Sequence, residues 1–150
     1  MKKIVSSNFD FLTTEDKILI KKIIIEKVDP EKTYSLSDAL EIMQSVKSEK
    51  FEESIKSFSV AYDLNKSSTY LINRAVSLIN LKDYASAEKD LNTVLSKENS
   101  NGRAYELLGS INRLKGKNIS ACELWEKGIL AGSEESKRLK EKYCITLDIN

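Results

Sequence analysis

Two cysteines, Cys122 and Cys144, are the most reactive side chains in the sequence. They lie far apart, with no CxxC spacing and no neighbouring ligand cluster, a pattern that reads as two reduced thiols behaving as small hydrophobes. Histidine is absent, and with it the commonest general base, metal ligand and near-neutral pH switch. The stretch LKGKN at 114–118 lacks the glycine spacing of a phosphate loop and reads as a turn between helices. No nucleophile–base pair stands out. The residues therefore describe a surface and not a reaction centre, and the expectation is a non-enzyme with no catalytic residue, no metal and no cofactor.

Composition narrows the class of surface. The chain has 150 residues, 24 basic and 23 acidic, with a net charge of +1. So even a balance supplies no dominant attraction to nucleic acid or to an anionic membrane, and neither is expected as a partner. The N-terminal MKKIVSSNFDF opens with two lysines but no apolar run follows them. The most apolar window, ILIKKIIIEKV at 18–28, carries four charges and is too short to span a bilayer. A cytoplasmic location is expected from these two features.

The elements that must position such a surface are helices. Five glycines and one proline punctuate the whole chain, and the rest is rich in good helix formers. A first helix starts at Thr13 or Thr14 and stops at Asp29-Pro30. A second runs from Ser35 or Ser37 to about Ser48. Others follow over 49–64, 69–81, 84–96, 103–115 and 119–131, and the last runs from Ser133 to about Cys144. Short turns within pairs, SEK at 48–50, LKD at 81–83 and LKGKN, force antiparallel neighbours.

The helix pairs repeat. Ser54, Ala87 and Ala121 are separated by 33 and then 34 residues, as are Phe58, Leu91 and Trp125. Ala61, Val94 and Gly128 keep the same step, and so do Ile42, Ala75 and Gly109. A period in this range marks a stacked helical repeat. Small residues recur as faithfully as large ones because two helices that cross closely need one small side for each large one. In the third unit, Tyr105-x2-Leu108-Gly109 and Ala121-x3-Trp125 resemble the tetratricopeptide (TPR) pattern. The second unit matches with Leu71-x2-Arg74-Ala75-x2-Leu78, Tyr84 and Ala87-x3-Leu91. The first has Ser54-x3-Phe58 and the ending Ala61-Tyr62-Asp63-Leu64-Asn65, with Ile42 where a small residue is usual.

That resemblance implies an all-α fold, a right-handed superhelical stack of antiparallel helix pairs forming one domain over 1–150. Residues 1–34 form an N-terminal extension with its extra helix, three TPR units occupy about 35–67, 68–101 and 102–135, and 136–150 form a capping helix and tail. It also implies a partner-binding concave face lined by the first helix of each unit: Ala39, Leu40 and Met43, then Ile72, Asn73, Val76, Ile79 and Asn80, then Arg103, Glu106, Leu107 and Arg113. Some relatives clamp a terminal carboxylate with lysines, asparagines and an arginine. Here Asn73 matches and Arg103 could stand for a lysine, but Ala39, Met43 and Leu107 cannot donate, so no clamp is expected. The apolar lining suits a peptide or an amphipathic segment of another protein.

The N-terminal helix is apolar over a wide arc that includes Leu19, Ile20, Ile23 and Ile24. Such an arc is expected to be covered on two sides: one by the first repeat, and the other by a second copy of the chain, a partner or the protein's own concave groove. An extra helix before three such units also resembles the layout of small secretion chaperones that hold hydrophobic clients and dimerise through this region. A scaffold subunit of a larger assembly is the third reading.

Overall fold

The computed structural model describes residues 36–144, and all six elements there are helices. They are α1 (Leu36–Asn65), α2 (Ser68–Asn80), α3 (Tyr84–Lys97), α4 (Gly102–Leu114), α5 (Asn118–Leu130) and α6 (Glu134–Tyr143). The fold is all-α among the described residues. The expected N-terminal helix, with Leu19, Ile20, Ile23 and Ile24, lies outside them. The chain divides into two compact units, Met1–Lys50 and Phe51–Asn150. In the first, Met43 and Val46 form a small buried cluster with Leu40 and Ile42 packed on it.

One expectation is overturned at the start. The helices expected over 35–48 and 49–64 are a single helix, and no turn forms at Ser48-Glu49-Lys50. Nothing between Leu36 and Asn65 is glycine or proline, and once a helix is nucleated each added residue gains a hydrogen bond at little cost. A tight hairpin here would also need a small residue at the crossing, and Ile42 stands in that slot. The boundary between the two units nevertheless falls at this place in the sequence.

In Phe51–Asn150 the helices come as pairs. Three-residue links join α2 to α3, α4 to α5 and α5 to α6, and all three close in the same way. In the first, the Lys82 N–H donates to the Ile79 carbonyl and the Asp83 N–H to the Leu78 carbonyl, both at 2.9 Å. The bonds from Gly116 and Lys117, and from Gly132 and Ser133, repeat this arrangement. It is a Schellman ending, which needs a left-handed residue at its centre. That residue is Gly116 (φ 76°) or Gly132 (φ 83°) in two turns, and Lys82 (φ 62°) in the third. After two of the three turns the next helix starts on a side-chain cap, whereas α5 follows Lys117 without one. Asp83 accepts from the Ser86 N–H at 3.1 Å, and Ser133 from the Ser136 N–H at 3.1 Å.

Helix α2 packs on α3, α4 on α3 and α5, and α5 on α6; α2 also touches α4, and α4 touches α6. Ala75, Ala87, Ala104 and Ala121 are fully buried, beside Leu71, Leu91, Val94 and Ile111. The pairing of small with large residues is clearest at Gly109, where an added Cβ would lie 2.5 Å from the Trp125 indole. Trp125 is itself buried, and its indole N–H donates to the Glu106 carbonyl at 3.2 Å.

A second expectation fails here. Cys122 and Cys144 are not reduced thiols but form a disulfide with a Cα–Cα distance of 5.9 Å. The turn at Gly132 folds α6 back along α5, and sequence separation conceals that approach.

Candidate functional site

The residues expected to line a binding face do not share one environment. Ala39, Leu40 and Met43 belong to Met1–Lys50. There Met43 is buried and Leu40 half-buried. The other nine fall on α2 and α4.

On α2, Ile72, Val76 and Ile79 stand at i, i+4 and i+7, so one face of the helix carries all three. Each is half-buried, packed at its base on the core of Leu71, Ala75 and their neighbours. Asn73 and Asn80 are exposed beside them. The Asn80 amide donates to the Val76 carbonyl at 2.8 Å, which leaves its side-chain oxygen free to accept from a ligand. The result is an apolar strip bordered by amides.

On α4 the expected residues behave differently. Leu107 is buried in the core. Glu106 is buried too, at 6% exposure. Its carboxylate pairs with Arg103 and accepts from the Ser133 hydroxyl at 3.2 Å. Burial pushes its pKa above the ordinary glutamate value, and Arg103 and Ser133 only partly offset the desolvation. Arg113 lies with its guanidinium 3.6 Å from the Tyr143 ring centroid, a cation–π arrangement. Glu106 and Leu107 therefore serve packing, and Arg103 and Arg113 already have partners within the chain.

The period of 34 residues makes the contrast exact in position. Ile72, Val76 and Ile79 correspond to Glu106, Ser110 and Arg113. The same strip is apolar on α2 and polar on α4. Larger exposures occur elsewhere, at Leu64 (84%), Leu130 (81%) and Ile119 (75%). Ile119 and Leu130 stand singly near the two ends of α5, and Leu64 closes α1 one turn after the exposed Val60. Scattered apolar exposure of that kind is ordinary on a protein surface.

Sequence reasoning missed one buried group. Arg74 grips Asp90 through two bonds of 2.7 Å, Nε to Oδ2 and Nη2 to Oδ1. Its Nη1 also donates to the Ser59 hydroxyl at 2.9 Å, so one guanidinium joins α1, α2 and α3. A signal was present. One period later both partners are leucines, Leu108 and Leu124, so two charges replace two apolar residues together. The pair is structural, since the guanidinium is engaged by Asp90 and Ser59 of the same chain.

Among the described residues no group of three or more potential ligand side chains could hold a metal ion. No helix there is long and apolar enough to cross a membrane. No family model matches the chain, and no curated protein and no solved structure matches it.

Proposed function

We propose that this chain is a non-enzymatic interaction module that docks an apolar or amphipathic segment of another protein on the α2 face. The observation that supports this most is the Ile72–Val76–Ile79 strip. Leu71, Ala75 and Leu78 form the buried side of α2, Ile72, Val76 and Ile79 beside them are only partly buried, and the matching positions of α4 hold Glu106, Ser110 and Arg113. Three half-exposed β-branched residues in line, with Asn73 and Asn80 on their flank, offer a short apolar groove edge and hydrogen bonds for an adjoining backbone. The resemblance to TPR proteins and the α2–α4–α6 contacts support the same face, since first helices line the binding surface in that family.

The test is selection of peptides from a display library on the purified chain, followed by binding titration against Ile72→Glu and Val76→Glu. Both positions are half-exposed, so both variants should keep the helical circular dichroism of the wild type. Binding should fall at least about tenfold, because burial of one such side chain contributes about 1.5–3 kcal/mol. Undiminished binding by both variants would end the proposal. The secretion-chaperone and scaffold readings, with a homodimer through Leu19, Ile20, Ile23 and Ile24, rest on residues outside those described. A cytoplasmic location belongs to the proposal as well. The Cys122–Cys144 bond pulls against it, because stable disulfides are mostly found in oxidising compartments.

A further inference from the structure

Helix α6 packs on α5 and is held by Arg113 over the Tyr143 ring, but it buries little of itself. Its sequence EESKRLKEKY is mostly charged, and its one buried residue is Ser136. The Ser136 hydroxyl, packed against Gly128, has no hydrogen-bond partner. Leu139 is half-buried and Tyr143 is exposed. The ion pairs of Lys140 with Glu126 and of Arg138 with Glu135 are solvent-exposed, and such pairs add little. Yet α6 lies over sensitive ground. Trp125 is 1% exposed, with its ring centroid 6.0 Å from that of Tyr143, and the Ser133 cap of α6 holds the buried Glu106.

The disulfide joins Cys122 in α5 to Cys144 one residue past the end of α6, across a separation of 22 residues. It therefore closes a loop made of most of α5, the Gly132 turn and all of α6. Both cysteines are half-exposed, so a reductant can reach them.

We propose that Cys122–Cys144 is a reversible thiol–disulfide site that secures α6 over Trp125, and that its reduction by a dithiol oxidoreductase releases α6. A thiolate of the dithiol attacks one sulfur, the S–S bond breaks, and a mixed disulfide forms. The second thiol of the reductant resolves it. Two electrons and two protons pass to this chain, which is left with two thiols, and the dithiol is left as a disulfide. The chain's own consequence is local: the last helix detaches and the Trp125 end of the second pair becomes an open apolar surface.

Amide hydrogen exchange of the full chain, with and without dithiothreitol, tests this alongside a thiol titration. Without reductant no thiol should titrate, and with it two should appear per chain. Exchange in α6 should then rise about 100-fold, the scale expected when a crosslink of this span is lost. Trp125 emission should move to the red, and α2–α3 should keep its protection. Cys144→Ser should reproduce the reduced behaviour without any reductant. Three results would overturn the proposal: two free thiols in the air-oxidised protein, unchanged α6 protection with both thiols titrated, or an equal loss of protection in α2–α3, which would make the bond a staple of the whole unit.

Discussion

The two helix pairs α2–α3 and α4–α5 share a backbone plan and differ in what fastens them. Both have a three-residue Schellman turn and a small residue at the crossing. The first is tied by charge, through the Arg74–Asp90 pair, and leaves an apolar strip facing out. The second is tied by shape, through Gly109 against Trp125, and holds Glu106, Ser110 and Arg113 at the matching positions, with Glu106 drawn into the packing. The positions that hold the backbone are fixed by close packing. The positions between them are free to diverge, and that is where one pair carries apolar residues and the other polar ones.

The contrast is broken most severely at the ion pair. Arg74→Leu should cost about 3–5 kcal/mol in urea unfolding, because it strands the buried Asp90 carboxylate. Arg74→Leu combined with Asp90→Leu imports the solution of the second pair, and should return stability to the wild-type level or above. A double variant no better than the single would mean that the two pairs are not interchangeable at this position.

Next in size is the shape contact. Gly109→Ala should destabilise by about 1–3 kcal/mol despite alanine's better helix propensity, since the added methyl meets a fully enclosed indole. Thermal unfolding of that variant measures it, and a gain in stability would show that Trp125 can retreat.

A smaller effect distinguishes the turns. Lys82 holds a left-handed conformation that glycine occupies at the two equivalent turns. Lys82→Gly should therefore stabilise the chain by about 0.5–1 kcal/mol, read as a rise in the urea midpoint. The smallest effect concerns Glu106. Its folded pKa is raised, so the folded chain holds that proton more tightly and loses stability as pH rises from the ordinary glutamate range through the raised value. Glu106→Gln removes this loss. The stability of the variant relative to wild type should increase as pH rises above the ordinary glutamate range, and a constant difference would assign no titration to Glu106.

Much of this architecture was legible in the sequence, for reasons that differ by residue. Gly109 and Trp125 stood out because close packing constrains size, and size is written in residue type. The helices of both pairs fell within a residue or two of their expected ends, and three of the four start on good caps, Ser67, Asp83 and Asn101. The turn at Lys82 and the absent turn at Glu49 were not separable, because SEK and LKD both lack glycine and only packing of the flanking helices decides between them. The disulfide was hidden because its two cysteines meet only after the chain reverses at Gly132. Arg74 and Asp90 were hidden because charges at helical spacing usually mark a solvated face. Of the expected binding residues, those on α2 kept partly open side chains, whereas Glu106 and Leu107 were drawn inward by the packing of α4.

The most direct measurement of the central claim is chemical-shift mapping of a selected peptide on the isotope-labelled chain. Shifts that centre on Ile72, Val76 and Ile79, and fade at Glu106, Ser110 and Arg113, are the result expected if α2 is the docking face. Shifts confined to the exposed positions of α3 and α5, with α2 unmoved, would contradict it.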